Sequence, residues 1–239
     1  MYEPFYGLRE RPFDLTANGR FLFLTATHRE ALSTLRYGIT GRKGVTLLLG
    51  EAGTGKTTIA QAAIKGHAGS ALIAYLNNPT LTRAEFFHFI SDRFGLGVNA
   101  ASKLEVVDAL TRLLHAGHRA GTDTVLLIDE AQSLPDALLE EVRLLANIET
   151  DDAKLLQVVL IGQPELGERL NQDSLRQLKQ RIALRGAISP LTLAESAALI
   201  SGRIRIAGSR PDSVFTRDAV QAVYEYSRGI PRTIAVICD

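Results

Sequence analysis

The chain has 239 residues, 46% of them hydrophobic, which suits one large domain or a core with a small satellite. Its 27 lysines and arginines nearly balance 26 acidic residues, which excludes a global basic excess that would capture nucleic acid or anionic membrane. The single cysteine, Cys238, excludes an internal disulfide and favours a reducing compartment, so we expect a cytoplasmic protein.

Neither a secretory signal nor a membrane span is predicted. The opening MYEPFYGLRERPFDL contains charges and two prolines where a signal needs an unbroken apolar core. The longest apolar runs have the length of strands, far short of the about 20 residues that cross a membrane. The last segment, GIPRTIAVICD, stops inside an apolar helical pattern without a cap. We therefore expect the natural protein to continue beyond Asp239.

Short apolar runs alternate with helical patterns, and they lie at residues 45–49, 71–76, 125–129, 156–161 and 182–188. This alternation predicts an α/β fold with a five-stranded parallel sheet and helices on both faces. After SPLT the pattern becomes purely helical, which predicts a small all-helical second domain. We place the first domain, with an aromatic amino-terminal arm, at residues 1–189 and the second at residues 190–239.

One predicted helix, DALLEEVRLLANIE, shows its two faces clearly. Its apolar stripe consists of Leu138, Leu139, Val142 and Leu145. The spacing predicts that Glu140, Glu141 and Arg143 lie on the solvent side of this helix.

The stretch GEAGTGKTT lies between an apolar run and a helical pattern and matches the phosphate-loop spelling G-x-x-x-x-G-K-[ST]. Its glycines let backbone N–H groups converge on a phosphate, Lys56 reaches the β and γ oxygens, and Thr57 suits a magnesium ligand. An ordinary glycine-rich turn is the alternative. The predicted nucleotide-binding residues are Gly50, Glu51, Ala52, Gly53, Thr54, Gly55, Lys56, Thr57 and Thr58.

Two consecutive acids end the apolar run VLLIDE. Strand alternation is expected to send the two side chains in different directions. Asp129 suits support of a magnesium ion, and Glu130 suits activation of the water that attacks the γ-phosphate. The alternative is an acidic strand end that leads into a helix cap.

Gln163 follows the next apolar run, in LLQVVLIGQPEL. The carboxyl ends of parallel strands converge on the ligand, so Gln163 could sense the γ-phosphate or help to place the water. The alternative is a turn residue before Pro164.

These segments together resemble the AAA+ ATPases of the general secretion pathway protein A group (ExeA/GspA-like). The segments that carry the resemblance, besides GEAGTGKTT, are LLIDEAQSL, LLQVVLIGQPEL, LRQLKQRIALR, YSRGIPRTIAVICD and the opening MYEPFYGLRERPFDLTANGRFLFLTATHREAL. The opening, together with DEAQ, GQPEL and GIPR, is more specific than the phosphate loop. The resemblance implies an AAA+ core, a helical lid, ATP with Mg²⁺, and assembly into a ring or helical homo-oligomer. It also implies an arginine finger at Arg181, with Arg176 and Arg185 as neighbouring candidates.

The resemblance implies two further roles. Arg232 matches a lid arginine that contacts the γ-phosphate of its own subunit, and a solvated surface arginine is the alternative. The aromatic arm is placed near the adenine and the subunit interface, with His28 at the start of the following helix; an arm that covers the core is the other interpretation. His115 and His118 show a three-residue spacing but no further ligand, so surface or half-buried histidines are expected there.

Two functions compete. The resemblance favours an ATPase that drives assembly of a secretion system, cell envelope or pilus. The alternative is a DNA-associated regulator, similar to the TnsC-like transposition ATPases, which assembles on duplex DNA with ATP. Its support is limited to two short basic segments, GRK at residues 41–43 and RIRIAGSR at residues 203–210.

Overall fold

The structure is a computed structural model that describes residues 2–14, 21, 23–77, 79–98 and 102–239. The described helices are α1 (Ala26–Thr40), α2 (Lys56–Gly66), α3 (Arg83–Arg93), α4 (Lys103–Arg119), α5 (Asp136–Leu145), α6 (Pro164–Arg169), α7 (Arg176–Arg181), α8 (Leu193–Ile206), α9 (Arg217–Ser227) and α10 (Pro231–Cys238). The strands are β1 (Val45–Gly50), β2 (Ala71–Leu76), β3 (Asp123–Ile128), β4 (Leu156–Gly162) and β5 (Ile182–Ile188). None of the described helices combines the length and the apolar character needed to cross a membrane.

The five strands form one sheet in the order β2-β3-β4-β1-β5, and the predicted parallel α/β fold is confirmed. Strand β4 pairs in parallel with both β1 and β3, and β2 pairs in parallel with β3. The carboxyl ends of β1, β3 and β4 therefore lie at one edge of the sheet. In such sheets, ligands bind at this edge.

The chain folds into two compact units, which we describe separately. The sheet unit contains Glu30–Gly50 and Ile59–Ala187. The arm-helix unit contains Met1–Arg29, Glu51–Thr58 and Ile188–Asp239. Residues 15–20 and 22 of the predicted arm lie outside the described residues. The domain division into residues 1–189 and 190–239 stays a prediction.

In the sheet unit, helices α3, α4 and α5 pack their apolar faces into one core with β3 and β4. The apolar stripe predicted for α5 is buried, and Leu139 and Val142 belong to it. The prediction for Glu141 was wrong, because this residue is only 5% exposed. Its carboxylate forms ion pairs with Arg83 and Lys103, at the starts of α3 and α4, and these cations compensate its burial.

In the arm-helix unit, the arm supplies part of the core formed by α8, α9 and α10. Phe13 packs edge-on against Phe215, with 6.0 Å between the ring centroids. Ala207 is the C-cap residue of α8. Its carbonyl accepts from the backbone N–H of Arg9 at 2.8 Å. The arm is thus an integral layer of the helical unit.

Candidate nucleotide-binding site

The predicted phosphate loop starts at Gly50, the last residue of β1, and enters α2 at Lys56. Gly53 and Gly55 adopt left-handed backbone conformations, with φ of +80° and +98°. A Cβ atom on Gly53 would lie 2.9 Å from Cβ of Arg232, which is too close. Glycine is therefore required at Gly53 by its conformation and by the space around it.

Side chains of the loop fold back onto one of its own carbonyl groups. The Glu51 carbonyl accepts from Thr54 Oγ1 at 2.8 Å and from Lys56 Nζ at 3.0 Å. Thr54 is fully buried and Lys56 is 4% exposed. A cation at the start of α2 adds its charge to the positive end of that helix, so this region suits a polyanion.

The other predicted loop residues differ in exposure. Glu51, Ala52 and Thr58 are exposed, whereas Gly50 is buried and Thr57 is half-buried. These loop residues therefore differ in their accessibility to a ligand.

Two further residues of the arm-helix unit hold the loop through its carbonyl groups. His28, at the start of α1, donates from Nε2 to the Thr54 carbonyl at 2.8 Å. Its Nδ1 lies 2.7 Å from Oγ1 of Thr25, so both ring nitrogens of His28 have a hydrogen-bond partner. The backbone N–H of Arg232 donates to the Gly53 carbonyl at 3.3 Å, while the Arg232 side chain is exposed.

In the sheet unit, Asp129 lies just beyond the end of β3. The strand was predicted to reach residue 129 but ends at Ile128. The two acidic side chains are therefore separated by the turn after β3 and not by strand alternation. Asp129 is fully buried, and its oxygens accept from Tyr75 Oη and from the Glu130 N–H, both at 3.0 Å. Burial raises the pKa of Tyr75, and the carboxylates of Asp129 and Glu130 act in the same direction. The phenol therefore remains a donor.

Glu130 has a left-handed backbone, with φ of 54° and ψ of 37°, which is unusual for a residue with a side chain. Its Oε2 accepts from Gln132 Nε2 at 2.5 Å and from Gln163 Nε2 at 3.2 Å. The structure thus brings Gln163 beside the acidic pair, at the edge where β3 and β4 end.

Sequence reasoning missed three residues around this acidic pair: Tyr75, Gln132 and Arg169. Arg169 donates to the carbonyls of Gln132 and Leu134 at 2.6 and 2.9 Å and pairs with the carboxylate of Asp136. Gln132 belongs to the segment LLIDEAQSL, directly after the two acids and one alanine, and could have been noticed. Tyr75 and Arg169 have no local signal, since their contacts depend on the strand order.

The candidate finger arginines lie on α7 and β5. Arg176 begins α7, Arg181 ends it, and Arg185 lies within β5. All three are exposed, so exposure does not distinguish among them.

The residues proposed for Mg²⁺ fit the demands of this ion. In the described part of the chain, no group of three or more His, Cys, Asp or Glu side chains could hold a metal. In nucleotide sites, Mg²⁺ takes most ligands from water and phosphate and few from protein. The hydroxyl of Thr57 and the buried, hydrogen-bonded carboxylate of Asp129 are oxygen donors of the required kind.

Comparison with known proteins gives a family match and one curated relative. Residues 39–170 match the family described as AAA domain. The chain is 43% identical over 240 residues to general secretion pathway protein A of Aeromonas hydrophila, which covers 100% of this chain and 44% of that protein. The chain thus spans less than half the length of this relative.

Solved structures of similar fold include proteins of Aeropyrum pernix and Pyrobaculum aerophilum. The ORC2 protein of Aeropyrum pernix, in ADPNP-ADP complexes, aligns with a TM-score of 0.65 and 17% identity over 96% of this chain and 64% of that chain. Cdc6p from Pyrobaculum aerophilum aligns with a TM-score of 0.66 and 16% identity over 95% and 63%. At these identities, the two structures support the fold alone.

Proposed function

The chain belongs to the AAA domain family, and from this membership we propose that it binds Mg-ATP and hydrolyses it to ADP and phosphate within a homo-oligomer. The similarity to general secretion pathway protein A predicted from the sequence is confirmed, and the fold implies nucleotide binding. The observation that carries the proposal is the glycine-rich loop around the nearly buried Lys56, at the start of α2.

The loop residues would hold the phosphates in this proposal. Backbone N–H groups between Gly50 and Thr58 bind the β-phosphate, and the Lys56 ammonium moves from the Glu51 carbonyl to the β and γ oxygens. Thr57 and Asp129 would be the protein's oxygen donors to the magnesium ion. When bound, Mg²⁺ would supply positive charge that offsets the negative charge developing on the phosphates.

The acidic end of β3 would supply the chemistry. Glu130 orients and polarises the attacking water, and its hydrogen bond from Gln163 supports a joint role for the two side chains. Gln163 and Arg232 report the presence of the γ-phosphate within one subunit. The contact of the Arg232 backbone with Gly53 supports its place beside the phosphate loop.

The cellular role would be assembly of a secretion system, cell envelope or pilus, at the cytoplasmic side. The 43% identity to a secretion pathway protein supports this role. The DNA-associated alternative has less support, because its basic segments are partly engaged inside each unit. Arg42 donates to Asp123 at 3.1 Å and contacts His118, and Arg203 donates to the Pro12 carbonyl at 3.2 Å.

Sedimentation with ATP, with ADP and without nucleotide, each with and without duplex DNA, tests the proposal while phosphate release is followed. We expect ATP-dependent assembly and hydrolysis that do not respond to DNA. If assembly and hydrolysis require DNA, the DNA-associated function would be better supported than the secretion or envelope function. Absence of both with ATP under every condition would contradict the proposed activity.

The finger is tested by substitution and complementation. We expect Arg181→Ala to bind and assemble with ATP but to hydrolyse about 10³-fold more slowly, because a finger stabilises transition-state charge. Arg176→Ala and Arg185→Ala are the matched controls and should keep most of the activity. Mixing Arg181→Ala with Glu130→Gln should restore phosphate release, since each chain supplies what the other lacks. If Arg181→Ala hydrolyses at the wild-type rate, the finger is elsewhere.

A further inference from the structure

Gln132 joins the ends of two strands through one side-chain amide. It lies in the 3₁₀ turn Ala131–Ser133 that follows Glu130. Its Nε2 donates to Glu130 Oε2 at 2.5 Å, and its Oε1 accepts from the backbone N–H of Gln163 at 3.1 Å. Both ends of the amide are thus used, one at the end of β3 and one at the end of β4.

The surroundings fix the position of this amide. A Cβ atom on Gly162 would lie 3.0 Å from Gln132 Oε1, so the amide packs against the β4 backbone at a glycine. On the other side, Arg169 holds the turn by donating to the carbonyls of Gln132 and Leu134. The backbone and the side chain of Gln132 are therefore both held by β4 and α6.

The contact matters because of the conformation of Glu130. A non-glycine residue in the left-handed region is kept there by its surroundings, commonly at functional sites. Hydrogen bonds from Gln132 and Gln163 meet at the same carboxylate oxygen and orient it. Since Gln132 also binds the N–H of Gln163, one side chain sets the positions of both partners.

We propose that Gln132 is a positioning residue for ATP hydrolysis, which aligns the Glu130 carboxylate with Gln163. This inference rests on the proposed function, in which Glu130 activates water. Gln132 acts through Glu130, so its loss should lower the rate of hydrolysis and leave nucleotide affinity unchanged. Misalignment of a catalytic group by about 1 Å costs up to about 100-fold in rate.

The test compares Gln132→Met with Gln157→Met in the ATP-assembled protein. Gln157 is 1% exposed, and its amide also bridges two backbone groups, the Gly44 N–H at 3.0 Å and the Lys154 carbonyl at 2.9 Å. We expect Gln132→Met to lower kcat about 10- to 100-fold and to keep KM and the nucleotide Kd within about twofold. Gln157→Met should lower the melting temperature and keep kcat.

A double-mutant cycle separates positioning from a general structural effect. In the Glu130→Gln background, single-turnover phosphate release should be insensitive to Gln132→Met, because the residue it positions is gone. An unchanged kcat in Gln132→Met, or an equal loss in both backgrounds, would overturn the inference. If Gln132→Met does not fold, Gln132→Asn, which keeps an amide but shortens its reach, takes its place with the same expectations.

Failure of this inference differs from failure of the proposed function. If the wild-type protein hydrolyses ATP and Glu130→Gln does not, the proposed function stands whatever Gln132→Met shows. If Glu130→Gln hydrolyses ATP at the wild-type rate, the role of Glu130 fails and the role of Gln132 fails with it.

Discussion

The phosphate loop is held mainly through its backbone, whereas the acidic end of β3 is held through side chains. In the loop, the carbonyls of Glu51, Gly53 and Thr54 accept from Lys56, from the Arg232 N–H and from His28. At the acidic end, carboxylates accept from Tyr75, Gln132 and Gln163. In the proposed function, this difference would separate nucleotide binding from hydrolysis. The loop offers backbone groups, and the acidic end offers side chains whose orientation depends on their neighbours.

The largest expected effect comes from a substitution that disables the acidic end and leaves the loop intact. Glu130→Gln should bind ATP with unchanged affinity and hydrolyse it about 10²- to 10⁴-fold more slowly, because an amide is not a base. Phosphate release and fluorescent-nucleotide titration measure the two properties separately. Glu165→Gln, an exposed acid in the first turn of α6, is the control. An accompanying loss of ATP affinity would show that binding and hydrolysis are not assigned to separate regions.

The next largest effect is expected from a substitution in the loop that leaves the acidic end unchanged. Lys56→Ala should weaken ATP binding about 100-fold, since a hydrogen bond to a charged group is worth about 1.5–3 kcal/mol. Titration with a fluorescent ATP analogue measures this loss. Lys65→Ala, in the last turn of the same helix, should bind normally. Equal affinity of the two variants would contradict the phosphate-binding assignment.

A smaller effect sharpens the comparison by removing support for the loop backbone. His28→Leu leaves the Thr54 carbonyl without its donor, which costs about 1–3 kcal/mol of stability. We expect ATP affinity to fall about tenfold as well, because the loop is less preorganised. His67→Leu is the matched control. His67 lies just after α2, is 9% exposed and forms a hydrogen bond to the Ala63 carbonyl at 2.8 Å.

Denaturation and nucleotide titration of both histidine variants separate the two effects. Both should lose stability, and only His28→Leu should lose affinity. Unchanged ATP affinity in His28→Leu would assign His28 to stability alone.

Much of the fold could be predicted because buried parallel strands are continuous apolar runs. The bounds of β2 and β5 agree with the runs at residues 71–76 and 182–188. Strand β3 begins at Asp123, two residues earlier than predicted, because parallel pairing with Ala71 extends it beyond its apolar part. Strand order could not be predicted, since it depends on contacts between distant segments.

The candidate site divides along the same line. The phosphate loop is written in consecutive residues, so its position after β1 and before α2 was predicted. The partners of the acidic pair come from β2, from the turn after β3 and from the residue that follows β4, and only the folded sheet brings them together. Helical periodicity placed Glu141 on the wrong side because periodicity cannot register ion pairs with other helices.

The ion-paired Glu141 has a consequence for how this protein can change during evolution. Losing Arg83 or Lys103 alone would leave a buried carboxylate undercompensated, whereas a well-packed apolar side chain in place of Glu141 would remove the need for both cations. These three positions should therefore vary together among related sequences. A single exchange at any of them crosses a less stable intermediate, so the ancestry of the cluster should show few partial forms.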